Sequence, residues 1–553
     1  MLTSIADSGN AKKAGSPDGP VFNSSFTPYT GPWEYDQAAH LLRRTMFGPA
    51  SDQISWSLSN GLSATLDELF KERPLPTPPL NVELRNDPDI PFGQTWVESP
   101  FTESRRPKQM PACIRSLNAW VMGVIVEEGM SIREKLTLFW HNHFPIEAIQ
   151  DPRYKYKYAT LMRTHAWGDF RQLTKDMTID PSMLRFLNGS QNSKRAPNEN
   201  YARELLELFT IGKGPAAGPG DYTFFTEQDV RAISRILTGW KDRGYAFRSK
   251  DGKVGSEFQS WRHDEGTKQL SPRFGNAVIT NLGDREYAYL IDLIFEQDEV
   301  SRFICRKLYQ WFVYYQIDET IEVDIIEPMA RILRENNYRI APALRALLQS
   351  EHFFDRRFRG AMIKNPIELI ATAIKTFKIP MPGNLTQKYD TWLALFNLAD
   401  KMQMKYFEIP QVAGWRAYYL APVYYRDWIS SSTLPIRMDF VERLVNLGHV
   451  PVNGNGPRIR ARPLEFIARL DNPSDPNQLI ADMARLFFCF PLTPAVRDSL
   501  KEVLIPGLPD FEWTVEYRTH LARPTDTELA EAVEAKLRNL LNTMLTMAEY
   551  QLG

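Results

Sequence analysis

Cysteine is scarce. Only Cys113, Cys305 and Cys489 occur in 553 residues, no CxxC pair exists and the count is odd. That pattern argues against a disulfide framework or a cysteine-based zinc site and reads as buried free thiols. An excess of charge is also missing: 66 Lys and Arg face 67 Asp and Glu, a formal −1. Such neutrality argues against a general grip on nucleic acid or on an anionic membrane face. Long apolar runs are absent as well. The longest mostly apolar uncharged stretch, 116–126, lies between Arg115 and Glu127 and is far short of the roughly 20 residues a membrane helix needs. Lys12 and Lys13 are not followed by an apolar run, so no secretory signal peptide is read and a cytoplasmic, soluble protein is expected. No GxxxxGK[ST] phosphate loop and no repeat of fixed period occurs.

What is present is the composition of a folded globular protein, 43% hydrophobic and 24% charged. Helical periodicity dominates, and the expected fold is a mostly α, multi-helical globular body with a small β-hairpin insertion. Residues 1–32 read as a flexible lead-in, 33–380 as a helical core with the β insertion near 241–281, and 381–553 as an aromatic-rich and helical C-terminal part packed on that core. The spacing predicts helices over 35–47, 113–128, 131–142, 155–166, 168–177, 197–211 and 227–240, and a long C-terminal one over 525–549 opened by Asp526. The proline-rich stretch 73–100 cannot be regular helix and must wrap over a surface. Alternation and Asp251-Gly252 predict a hairpin over 245–258. Residues 380–432 read as irregular.

Four segments carry residue types suited to chemistry. In REKLTLFWHNHFP, 133–145, His141 and His143 are two apart. On a continuous helix they would be about 200° apart, but Pro145 lets the backbone unwind so that both imidazoles could converge on a metal. The other reading has one imidazole capping a helix end and the other packed among rings. In PNENYARELLELF, 197–209, Asn198 or Asn200 caps a helix, and Glu204 and Glu207 have the spacing by which helical carboxylates reach one metal or substrate. A surface Arg–Glu network around Arg203 is the alternative. His263-Asp264 can ligate or transfer protons, though only if the loop folds over the first two segments. Finally, Gly414-Trp415 to Trp428 offers rings for stacking if exposed and a core if packed, the latter being favoured. The run YKYKY at 154–158 reads as helix surface.

These segments, with HLLRRTMFGP at 40–49, LTGW at 237–240, HDEGTK at 263–268, KNPIEL at 364–369, VAGW at 412–415 and WISSSTL at 428–434, resemble the bacterial family known as domain of unknown function 1800. The resemblance runs from about Trp33 to the C-terminal helix. It implies a mostly helical protein with no established reaction, in a family whose members are often exported and encoded beside a second family resembling alkaline phosphatases and sulfatases. The positions it carries over are His40, Arg43, Arg44, His141, His143, Asn198, Asn200, Arg203, Glu204, Glu207, His263 and Asp264, without catalytic roles.

Two functions are expected from this. The first is a metal-dependent hydrolase of an ester or glycosidic bond in a polymer such as a polysaccharide. His141, His143, Glu204 and His263 would hold a divalent metal, zinc or iron; Glu204, Glu207 or Asp264 would act as acid, base or orienter. Arg43, Arg44, Asn198, Asn200, Arg203 and Trp415 would bind substrate. The second is a non-catalytic helical scaffold, or a polymer-binding partner of the phosphatase- or sulfatase-like neighbour, in which the same His and Glu form buried hydrogen-bonded networks.

Overall fold

A computed structural model describes residues 24–218, 221–248, 251–454 and 456–553. Helix starts follow a repeated chemical rule. An Asp, Asn or Thr carboxyl, amide or hydroxyl accepts from the first-turn N–H groups, and a proline follows at the first helical position, as at Asp151-Pro152, Asp180-Pro181, Asn365-Pro366, Asp475-Pro476 and Thr493-Pro494. Asp526 caps the C-terminal helix Thr527–Thr546 in the expected way. The result is a mostly α protein, and among the described residues the strands form three two-stranded antiparallel pairs. None of its helices is long and apolar enough to cross a membrane, among the described residues.

One apolar core runs through the whole length, from Ala38 to Tyr550. The C-terminal part is built into it. Helix Leu385–Lys401 lies against Arg106–Glu127, and Gly123 permits the contact because a Cβ there would come within 2.4 Å of the Trp392 ring. The chain end returns to the 362–364 segment through an Ile363–Leu552 bridge and the Lys364 ammonium on the Tyr550 carbonyl at 2.7 Å.

Several expectations need correcting. The irregular stretch 380–432 contains the helix Leu385–Lys401, capped by Asn384; its aromatic residues obscure an amphipathic pattern because two of its faces are buried. The hairpin pairs Trp240–Arg243 with Gly255–Phe258, so its first strand lies earlier than 245 and Asp251-Gly252 sits in the long connection rather than at a tight turn. Lys268–Gln269 and Val278–Ile279 form a further pair in the same insertion. Of the lead-in, residues 1–23 lie outside the described residues. Residues 25–30 are tied down, with Tyr29 N–H on the Gln349 carbonyl at 2.7 Å and Glu351 N–H on the Thr27 carbonyl at 2.9 Å. The proline-rich stretch does wrap over the surface as irregular chain, pinned by Trp96, whose indole donates to Ser116 Oγ at 3.0 Å.

Candidate functional site

The four groups expected to share a metal do not meet. Helix Arg133–His143 stays regular through His143, with the Phe144 N–H closing it on the Trp140 carbonyl. His141 and His143 therefore leave different sides. His141 has no nitrogen free: Nδ1 donates to the Tyr158 hydroxyl at 2.8 Å, because that hydroxyl itself donates to the Phe144 carbonyl, and Nε2 accepts from the Phe407 N–H at 3.0 Å. Burial, then Lys155 and Arg163, pull its pKa down to about 3. It is a neutral structural imidazole stacked on Tyr406, ring centroids 4.4 Å apart.

His263 belongs to another buried network. Its Nδ1 donates to the Thr238 carbonyl at 2.8 Å and its Nε2 meets Glu286 at 3.0 Å, while Lys268 meets the other Glu286 oxygen at 2.6 Å. Asp264 is gripped by Arg235 at 2.7 and 3.1 Å. The LTGW and HDEGTK segments thus lock the β insertion to helix Glu286–Ile294. Glu207 pairs with Lys213 at 2.5 Å, and Arg203 pairs with Glu227 and Glu199. Glu204 is half-buried, its pKa raised by burial and then by Glu207. Among the described residues no three His, Cys, Asp or Glu side chains are grouped so as to hold a metal ion. The residues present do not fit the shared ion.

The binding residues also disperse. Arg43 donates to the Arg485 carbonyl at 2.6 Å, and His40 binds the Phe353 carbonyl. Asn198 Oδ1 accepts from the Asn200 N–H at 2.9 Å, so Asn198 supplies the turn before the helix while Asn200 is exposed. Trp415 is buried at 3% exposure, edge-on to His141.

What the motifs do share is a cleft. Its recesses, of about 160 and 490 Å³, meet at Lys307, Gln310 and Tyr424, and Trp311 and Tyr418 continue it to a narrow polar floor with Arg44, Lys135, Lys364 and Glu368. Asn142 and His143 come from the 133–143 helix. Lys307, Gln310 and Trp311 come from helix Asp298–Phe312, and Tyr418, Tyr419 and Tyr424 from the aromatic segment. VAGW explains its glycine here. Gly414 has φ +100°, and a Cβ would lie 2.5 Å from Asn142 Oδ1, which accepts from the Trp415 N–H at 2.8 Å. That bond fixes Asn142 against the aromatic segment.

The 198–212 segment serves the cleft through its backbone. After Asn200–Glu204 the helix widens into a π-turn over Leu205–Thr210, a form that frequents functional sites. Its end leaves carbonyls without helical partners. The Leu208 carbonyl accepts from Lys307 Nζ at 3.0 Å and the Phe209 carbonyl from His143 Nε2 at 3.0 Å.

Among the described residues one group in the cleft lacks a counter-charge and two lack any hydrogen-bond partner. Among the described residues Lys307 has no carboxylate at ion-pair distance, and burial alone lowers its pKa to about 8. His143 Nδ1 and Trp311 Nε1 are buried without hydrogen-bond partners, on side chains 3% and 5% exposed. Burial, then Lys307, hold His143 well below its ordinary range and neutral. Lys307 and Trp311 escaped the sequence reading, although their spacing of four on one amphipathic helix places an ammonium and an indole on one face.

The sequence model of a family described as "Protein of unknown function (DUF1800)" matches residues 40–552. The chain belongs to this family. No curated protein and no solved structure matches it. The DUF1800 segments at 40–49, 133–144, 198–212, 364–369, 412–415 and 428–434 all contribute a side chain or a carbonyl to the cleft or its floor. Only the 237–240 and 263–268 segments serve the separate lock.

Proposed function

We propose that this DUF1800 protein is a polymer-binding protein whose cleft holds an anionic sugar unit. The observation that carries the reading is Lys307, a partly buried ammonium held only by a backbone carbonyl and flanked by rings. A buried cation without a counter-charge costs free energy that an incoming anion recovers. Half-exposed Tyr424 and exposed Tyr419 offer apolar ring faces for a sugar, beside Trp311 and Tyr418, which pack on each other with centroids 4.3 Å apart. Asn142, with its Oδ1 engaged, keeps amide N–H groups for hydroxyl or carboxylate oxygens. This is the non-catalytic alternative of the sequence reading. A polymer carrying sulfate or phosphate esters would also suit the phosphatase- or sulfatase-like neighbour that the resemblance implies.

The reading is tested by titrating the protein with matched neutral and anionic oligosaccharides, for example an oligogalacturonate and its methyl ester. Preference for the charged form, diminishing with salt and abolished by Lys307→Met, is expected. Equal affinity for both forms, or an unaltered Lys307→Met variant, contradicts it.

A further inference from the structure

A second recess, of about 470 Å³, lies between the proline-rich 73–80 segment and helices Arg106–Glu127 and Leu385–Lys401. Trp120, Tyr389 and Trp392 line it, the last two with centroids 5.0 Å apart. Its charged side chains are matched within the protein: Arg133 with Glu72, Arg73 with Glu68, Lys388 with Glu127, and Glu134 with Arg163, at 2.5–3.0 Å. Glu128 alone among the charged side chains of the lining has no ion-pair partner among the described residues.

Four carbonyls of the proline-rich wall are occupied as well. The Arg73 and Pro74 carbonyls accept from Arg133, the Thr77 carbonyl from the Trp120 indole, and the Leu80 carbonyl from Ser116. Among the described residues four polar atoms of its lining remain without partners: Arg73 Nη1, Arg133 Nε, Trp392 Nε1, on a side chain 7% exposed, and Glu128 Oε2. Glu128 Oε1 already accepts from the Glu134 N–H at 3.1 Å. Burial, then the Glu134 charge, raise the Glu128 pKa to about 8 against Lys375 and hydrogen bonds from Glu134 N–H and Ser131. At neutral pH the free Glu128 oxygen thus carries or shares a proton, so the vacant groups, the two guanidinium nitrogens included, are all donors.

The ligand that fits is neutral, rich in acceptor oxygens and flat on one side. A peptide would bring N–H groups to a wall where the Arg73, Pro74, Thr77 and Leu80 carbonyls are already taken. A pyranose combines an apolar C–H face with hydroxyl oxygens in one rigid unit. We propose that this recess binds one or two units of a neutral glycan, packed against the wall that Trp120, Tyr389 and Trp392 form and accepting hydrogen bonds from Trp392 Nε1 and the Glu128 carboxyl. The site is independent of the Lys307 cleft in residues and in ligand charge.

The test is calorimetric titration of the full chain with maltohexaose and with cellohexaose, which offer the two glucose linkages. At least one should bind at pH 7. Trp392→Phe and Glu128→Leu should each weaken binding about tenfold, as loss of a buried donor requires, with melting curves confirming that they fold. Glu128→Gln should keep affinity within about threefold and remove the loss of binding that the wild type shows above pH 8. Facing Glu128 are Glu134, Lys375 and Arg163; of these Lys375 also titrates near 8, so the pH response counts only if Glu128→Gln removes it. Lys307→Met should leave this binding unchanged. The proposal is overturned if neither probe binds the wild type at about 10 mM, if Trp392→Phe and Glu128→Leu bind as well as the wild type, or if the pH response survives Glu128→Gln.

Discussion

His141 shows how a residue suited to metal chemistry is committed to packing instead. Both nitrogens are used, one as donor and one as acceptor, so only the neutral Nδ1–H tautomer satisfies the site. Replacing it with Phe leaves the Tyr158 hydroxyl and the Phe407 N–H short of a partner, and thermal melts should show a loss of about 1–3 kcal/mol. The pH dependence has a definite sign. The folded pKa, about 3, lies below the unfolded value, so the unfolded chain binds more protons between about pH 6.5 and 3. Stability therefore falls as pH is lowered through that window, by up to about 1.4 kcal/mol per unit from this group, and denaturant titrations of a His141→Gln variant should show a shallower slope. Glu204 behaves oppositely to a residue in a stabilising network. Half-buried and raised by burial and Glu207, it gains nothing from its charge, and Glu204→Gln should leave the melting temperature at pH 7 unchanged or higher.

At the scale of elements, the helical class and the Asp526 cap of the last helix were legible, whereas helix Asn200–Glu204 starts from Glu199 with no side-chain cap, and neither Asn198 nor Asn200 fills that role. The hairpin was legible in kind but displaced, since its strands pair across a long connection rather than a two-residue turn. The helix Leu385–Lys401 was hidden by burial on two faces, which erases the polar stripe that periodicity needs. The candidate site was half legible. The HNH, NENYARELLELF and VAGW segments do converge, yet their contribution is one amide, one imidazole, two backbone carbonyls and a glycine that admits close approach. Side-chain chemistry cannot announce a backbone acceptor, and the π-turn that frees those carbonyls has no simple spacing signature. Lys307 needed the partner segment to be seen as unpaired. Gly414→Ala tests this assembly: a Cβ 2.5 Å from Asn142 Oδ1 at φ +100° should cost about 1–3 kcal/mol and accelerate proteolysis within 413–428.

At the scale of the molecule, the continuous core and the return of the chain end to the 362–364 segment join N- and C-terminal parts into one body. The buried His263–Glu286–Lys268 network fastens the β insertion to it. Glu286→Ala strands an imidazole and an ammonium, both about 1% exposed or less, and should lower stability by about 3–5 kcal/mol. Calorimetry of the wild type should give one cooperative transition rather than separate melting of 33–380 and 381–553. The Lys307 cleft sits where those two parts meet, so the aromatic segment supplied by one closes over the helix supplied by the other.

The most direct measurement is the affinity of the intact protein for an oligogalacturonate between pH 6 and 10. With Lys307 titrating at about 8, binding should weaken at least tenfold across that range and become weak and pH-independent in Lys307→Met. An affinity that is flat through pH 8 in the wild type, or equally strong in the variant, would contradict the account.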